Sequence, residues 1–378
     1  SVNNCRSRSD LLKYLWWVDS FVAYLNNFIW ERVPMLMIEF KTKVLTTTIM
    51  DPRDNFNRKE IETEIRFDPL TGESSRLAHF GMIKPQKEDF SSWDTPENHS
   101  RCPFCPPNIE KITPRFPPEH LPEGRLHRGE TTLLPNIAPY DQFSALAVMS
   151  RDHVVPLEKL SPRLLKDAFE AGLEFFRIIA AKKYQLPYYA IMWNYMPPSG
   201  GGIVHPHQQP IISDAPGNLF RKALENSRRY YQAHRQSYWK EICRVEKEKG
   251  QRFIGELERS CWLTSFAPLG VMGEFLGIFP DVHTIFDVDE TVVDELVSGL
   301  ERLFSYFLSL NIYSFNMGLF FAPAGTEQYF SLHLRLIPRL YLNLVHRPSD
   351  INAVQMILQE PFAVVYPEKQ CAELRSFW

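Results

Sequence analysis

Two histidines two residues apart are the groups best placed to do chemistry, in the stretch Gly200-Gly201-Gly202-Ile203-Val204-His205-Pro206-His207-Gln208-Gln209-Pro210. Side chains of an extended segment alternate with period 2, so His205 and His207 project to one face. The glycines before them leave backbone N–H groups open to an anion. Such a place can bind and attack a phosphate. In isolation the same residues also read as a glycine turn entering a strand with ordinary surface histidines. Cys102-Pro103-Phe104-Cys105 is the second candidate, because two thiolates at this spacing can fill two corners of a tetrahedral metal site. A redox pair is the alternative, but it wants the motif opening a helix after a strand, and here Pro106 and Pro107 follow directly. The metal is favoured, and it needs two more ligands.

The elements that must position these groups can be read from pattern. Residues 188–195 form a buried strand, and the loop over 196–204 delivers the histidine segment. Before it, Leu164, Leu165, Phe169, Leu173, Phe176 and Ile179 repeat at helical spacing behind a Ser161-Pro162 start signal, which predicts a helix over 162–184. Strands are predicted over 132–136 and 143–149, with His153 just beyond. Further upstream, residues 64–73 read as a strand ending in a Pro-to-Gly turn, with Arg66 the residue of interest. The chain over 41–58 is polar and without readable periodicity. The proline-rich stretch 84–123 disfavours long helices and needs pinning, which a metal at the CxxC would supply.

A charged amphipathic helix is predicted over 218–249, structural in role. After it the order strand, strand, helix, strand, strand returns, over 260–268, 274–280, 289–309, 315–321 and 330–338. The fold class is therefore α+β, with an internally duplicated chain.

With 42 Lys+Arg against 45 Asp+Glu, the net charge of −3 calls for neither nucleic acid nor an anionic membrane as partner. Six cysteines scattered over 378 residues do not make a disulfide framework, which suits a reducing cytoplasm. Residues 1–37 are rich in aromatics but too often interrupted by polar residues for a membrane span, and they carry no secretory signal. They read as an amphipathic helix or an extension foreign to the domain, and they are assigned no chemistry.

The order Arg66-Phe-Asp-Pro-Leu-Thr-Gly72, Cys102-Pro-Phe-Cys105, Asn136, Ser150-Arg-Asp-His153, Asn194 with a glycine loop, and His205-Pro-His207-Gln-Gln209 resembles the galactose-1-phosphate uridylyltransferase family of the histidine-triad superfamily. The resemblance runs from about residue 62 to the C-terminus. It implies two tandem histidine-triad-like halves, each an antiparallel sheet with helices packed on it, at residues 59–250 and 251–378, with 1–58 as an extension outside the catalytic fold. It implies Zn2+ held by Cys102, Cys105, His153 and His205, with His207 as nucleophile and Gln209 on the phosphate. Asn136 and Asn194 fall on nucleotide-binding positions. Arg66, the backbone of Gly200, Gly201 and Gly202, and Glu360 complete the substrate-binding set. The partners implied are a nucleotide sugar and a sugar 1-phosphate (or phosphate), and the resemblance leaves a homodimer open.

The chain also departs from the family pattern. A second metal site, present in many relatives, would need histidines where Phe320 and Arg335 stand; Arg335 is expected to form a structural ion pair in its place. Gly202 replaces a serine, Gln208 a glycine or serine, and the phosphate-holding basic residues after Gly72 thin to Arg76 and Lys84. Three function classes follow: a transferase exchanging NMP between a nucleotide sugar and a sugar 1-phosphate, a phosphorylase or hydrolase using the same intermediate, and, ranked last because His207 is present, a non-catalytic nucleotide-binding protein.

Overall fold

The computed structural model describes residues 38–78, 83–182 and 184–378, so the expectation for residues 1–37 lies outside the described residues. The unit carrying the site runs from Phe40 to Trp378. Its strands are β1 (Lys41–Asp51), β2 (Asn57–Phe67), β3 (Ser74–Leu77), β4 (Leu126–Arg128), β5 (Thr131–Pro135), β6 (Phe143–Val148), β7 (Tyr188–Tyr195), β8 (His207–Ser213), β9 (Phe253–Glu256), β10 (Cys261–Thr264), β11 (Phe275–Phe279), β12 (Ser314–Phe320), β13 (Leu332–Arg339) and β14 (Phe362–Ala363). Its helices are α1 (Pro96–Arg101), α2 (Asn108–Ile112), α3 (Pro162–Ala181), α4 (Asn218–His234), α5 (Tyr238–Lys249), α6 (Glu290–Ser309), α7 (Ala353–Ile357) and α8 (Pro367–Leu374).

The polar stretch over 41–58 is ordered: β1 pairs antiparallel with β2 along its whole length, from Lys41 opposite Phe67 to Asp51 opposite Asn57. A boundary after residue 58 would cut this hairpin, so the body begins before it. Periodicity was unreadable because most of β1 is exposed on both faces and the ladder is held by backbone pairing and β-branched threonines. These strands form a four-stranded sheet in the order β1-β2-β3-β14.

The second sheet is continuous, in the order β4-β5-β6-β8-β7-β12-β13-β11-β10-β9. Five strands from the first half meet five from the second at a β7–β12 seam, and the order reads the same from either end. The duplicated halves therefore share one sheet. The seam is antiparallel, with Asn194 opposite Asn316 and Trp193 opposite Met317. One face is sealed by α3 and α6, whose Phe169, Phe176, Leu300 and Phe304 join Trp193, Tyr195, Phe315 and Met317 in the main core. Ser161 caps α3 by accepting from Leu164 N, and Asp289 caps α6 by accepting from Val292 N.

The other face is divided. Over the second half lie α4 and α5, with Trp239 stacked on His333 at 3.9 Å between centroids and Phe220 against Phe320 at 5.3 Å. Over the first half the face is left to the candidate site. The single helix predicted over 218–249 is thus two: Arg235 takes a left-handed conformation (φ 57°) and its N–H closes on Tyr231 O, ending α4 before Ser237 starts α5. The edge strand β9 carries no sequence signal, since its four residues include Gly255 and it meets β10 through an irregular register.

Candidate functional site

The four residues Cys102, Cys105, His153 and His205 come together in three dimensions. They are all buried, and their ligand atoms lie within 4.8 Å of one another, which makes them a group able to hold a metal ion. Cys105 Sγ is 3.4 Å from His153 Nδ1 and 3.5 Å from His205 Nδ1, and Cys102 Sγ is 3.7 Å from His205 Nδ1. Tetrahedral bonds of about 2.3 Å to sulfur and about 2.0 Å to nitrogen put adjacent S and N ligands roughly 3.5 Å apart, so the spacing fits. The donor chemistry fits too. Burial, and then the neighbouring Cys102, push the Cys105 thiol up to about 12, so a thiolate pair here needs a cation beside it. The other ring nitrogen of His205, Nε2, lies 2.8 Å from Ser150 O. That bond fixes the tautomer with Nδ1 as the free lone pair. Burial holds His205 near 4, so it stays neutral.

Three elements converge to build this knuckle. The end of α1 and the loop before α2 deliver the cysteines, and the loop after β6 delivers His153. The third is the approach to β8, which brings His205 and is tied to the end of β6 by Met149 N donating to Pro206 O at 3.0 Å. Phe104, between the cysteines, packs edge-on against His205 at 5.9 Å and His207 at 5.1 Å. It is a site residue that the sequence reading passed over, although its place inside the motif was the available signal.

His207 opens β8. Its Nδ1 lies 2.8 Å from His205 O, so Nδ1–H donates to that carbonyl and Nε2 keeps its lone pair. Burial lowers the affinity of the ring for a second proton, which keeps it neutral. Gln209 lies on the same face of β8, opposite Met192, and Asn194 lies two residues further along β7 on that face. Asn194 Oδ1 accepts from Asn316 Nδ2 at 2.6 Å. Asn316 carried no local signal, because its role depends on the seam register. Asn136 continues the same face at the end of β5, where its N–H bonds Ser144 O and its Oδ1 accepts from Ala138 N, shaping its own loop. A cavity of 380 Å³ opens along this face, lined among others by Asp141, Tyr188, Met192, Ser213 and Phe320. A larger one of 760 Å³ lies between α3 and α6 on the opposite side and holds no candidate residue.

Three of the groups expected to bind substrate have partners within the chain. The N–H of Gly200 is spent on Pro197 O at 2.9 Å, closing a tight turn with Gly200 at φ 86°, so only Gly201 and Gly202 have amides free of a recorded partner. Arg66 is buried in β2 and held by Glu64 at 3.0 Å and Glu368 at 2.8 Å, over the ring of Phe266. Its contacts are structural and none is with the histidine segment. Glu360 accepts from Ser74 at 2.7 Å and pairs with Arg76 at 3.2 Å. It stands beside a 210 Å³ cavity lined by residues of both halves, Arg335 among them. Arg335 itself donates to Glu274 at 2.6 Å.

His333 repeats the local geometry of His207. Its Nδ1 lies 3.0 Å from Ser331 O, two residues back, as His207 faces His205 O. Trp239 and Phe320 cover its ring.

No family model matches the chain. An uncharacterized protein of Archaeoglobus fulgidus is 30% identical over 328 residues, which is 85% of this chain and 94% of that one. The chain belongs to one family with it. Among solved structures, an ADP-glucose phosphorylase from Arabidopsis thaliana with bound ADP-glucose is similar at a TM-score of 0.62 and 17% identity, covering 83% of this chain and 98% of its own. A uridylyltransferase is similar at a TM-score of 0.58 and 21% identity, again covering 83% and 98%. Its fold is that of the uridylyltransferases. Among the described residues no helix is long and apolar enough to cross a membrane, and Cys102, Cys105, Cys243, Cys261 and Cys371 are free thiols.

Proposed function

We propose that this protein transfers a nucleoside monophosphate from a nucleotide sugar to a second acceptor through a covalent nucleotidyl-histidine on His207. The observation that carries the reading is the 2.8 Å contact of His207 Nδ1 with His205 O: a carbonyl only accepts, so Nδ1 carries the proton and Nε2 of the neutral ring keeps its lone pair. In-line attack forms a bond from Nε2 to the α-phosphorus and breaks the bond to the leaving phosphate oxygen, so a sugar 1-phosphate departs with that electron pair. The ring then carries a positive charge, which the His205 carbonyl accommodates through the Nδ1–H it already accepts. Gln209 and the amides of Gly201 and Gly202 supply donors to the equatorial oxygens. The cavity of 380 Å³ lined by Ala190, Met192 and Ile211, on the β7 and β8 face that also carries Asn194 and Gln209, has room for the nucleoside.

Zn2+ suits the Cys102, Cys105, His153 and His205 set, and when bound it would act as a structural clamp, since four protein ligands leave no open position. The proposal rests in part on likeness to the Arabidopsis structure, which holds ADP-glucose.

The acceptor separates two versions of the function. A transferase needs a second pocket for a sugar 1-phosphate, with free cations. Arg66 is committed to Glu64 and Glu368, and Arg335 to Glu274, so neither is a free cation for either acceptor, and the experiment decides between the two versions. The test is the intact mass of the zinc-loaded chain after incubation with ADP-glucose or UDP-glucose, then with phosphate or glucose 1-phosphate added. A shift of one NMP on His207, discharged by one acceptor, supports the function and names base and acceptor. A chain left unmodified by both nucleotide sugars would refute it.

A further inference from the structure

We propose that Asn316, Arg339 and Asp350, all from the second half, are positioning residues that fix Asn194 as a hydrogen-bond donor toward the bound nucleotide; this rests on the nucleotide function proposed above. The chain of contacts starts at a buried ion pair. Arg339 Nε lies 2.9 Å from Asp350 Oδ1, Nη2 lies 2.5 Å from the same oxygen, and Leu340 N donates to Oδ2 at 3.2 Å. Asp350 is 2% exposed and Arg339 7%, so both are held in one arrangement. The remaining arm of the guanidinium, Nη1, donates to Asn316 Oδ1.

This contact settles a polarity that an amide cannot settle alone. A carboxamide can be turned end for end, but a guanidinium has donors only, so the atom of Asn316 facing Arg339 is its oxygen. Asn316 Nδ2 therefore points the other way and spends both hydrogens, one on Asn194 Oδ1 at 2.6 Å and one on Ser199 O at 2.9 Å. With its oxygen turned to Asn316, Asn194 presents its Nδ2–H groups to the face it shares with Gln209. The nucleotide atom that meets it is a hydrogen-bond acceptor. The bond to Ser199 O also anchors the turn that ends at Gly200, where the free amides of Gly201 and Gly202 begin. The second half, whose own equivalent histidine is covered, thus sets the orientation of a contact in the first.

The test is a double-mutant cycle on the zinc-loaded full chain, with binding of ADP-glucose and UDP-glucose measured by calorimetry in a His207→Asn background that prevents turnover. Asn194→Ala and Asn316→Asp should each weaken binding about tenfold, the range of one lost hydrogen bond to a charged or polar ligand. The double variant should also lose about tenfold, because Asn316 acts through Asn194. In the chain retaining His207, Asn316→Asp should raise KM while the rate of adduct formation at saturation stays within about threefold, a split that general loosening of the fold would not give. Asn194→Asp guards against an Asn316 variant that does not fold. Its carboxylate still accepts from Asn316 Nδ2, yet it presents an acceptor to the nucleotide and should bind at least tenfold more weakly. Losses that multiply to about a hundredfold in the double variant, or native affinity in Asn194→Asp, would overturn the relay alone. A chain with His207 intact that binds neither nucleotide sugar and forms no adduct would overturn the relay together with the functional reading.

Discussion

Replacing Arg335 by Met should be strongly destabilising, and more so than Glu274→Gln. The two charges face each other at 2.6 Å, with the side chains 11% and 0% exposed. Burial disfavours the Arg335 cation, but the Glu274 carboxylate more than offsets this and holds it above the ordinary guanidinium value. Charge centres about 4 Å apart at an effective dielectric of about 20 attract by about 4 kcal/mol. Removing one partner of a buried pair costs about 3–5 kcal/mol, which agrees. The two deletions are not equivalent. Glu274→Gln leaves Arg335 with Asp68 nearby and a 210 Å³ cavity to reach into, so its cost should be about 2 kcal/mol. Arg335→Met strands Glu274, fully buried with one backbone donor, Leu269 N at 3.2 Å, and should cost about 4 kcal/mol. At about 2 °C per kcal/mol that is roughly 8 °C of melting temperature. The assay is thermal and urea unfolding of both single variants and of Arg335→Met/Glu274→Leu, which should regain most of the loss because an apolar pair needs no counter-ion. If each single variant melted within 1 °C of the native chain, or the double variant were the least stable, the argument from a buried ion pair would be refuted.

Other outcomes follow from the first half. His207→Asn should keep metal content and melting temperature while losing the nucleotidyl adduct, as read by intact mass. Because burial holds His207 below the ordinary histidine value, adduct formation should fall on acidification below that value and be flat from about pH 7 to 9, in single-turnover rates against pH. A rate still climbing through pH 8 would show that another group titrates. Cys102→Ser should lose metal, measured by elemental analysis, together with stability, since it opens a buried four-ligand set. Gln209→Ala should slow adduct formation about ten- to a thousandfold without abolishing it.

What the sequence made legible was set by locality. The helix and strand that precede the histidine segment carry strong local signals, helical periodicity in α3 and a continuous apolar run in β7, and both lie where the pattern puts them. The metal group was readable because its cysteines are adjacent, while His153 and His205 needed the family resemblance. What escaped depends on partners distant in the chain. Arg66 has the residue type for a phosphate, and only the approach of Glu368, 302 residues later, shows that its charge is spent. Asn316 looks like any strand residue until the seam puts it opposite Asn194. The break between α4 and α5 hangs on one left-handed arginine, a conformation that no composition signals.

The covering of His333 by Trp239 has a consequence for stoichiometry. A chain built of two like halves offers two imidazoles in the same local setting, and with both accessible each polypeptide could take up two nucleotidyl groups. The hairpin of α4 and α5 removes one of them from contact with solvent and ligand. Labelling should therefore saturate at one equivalent per chain, with the label on the first half. That asymmetry comes from an indole ring laid flat on a histidine, which turns a repeated surface into one working face and one foundation.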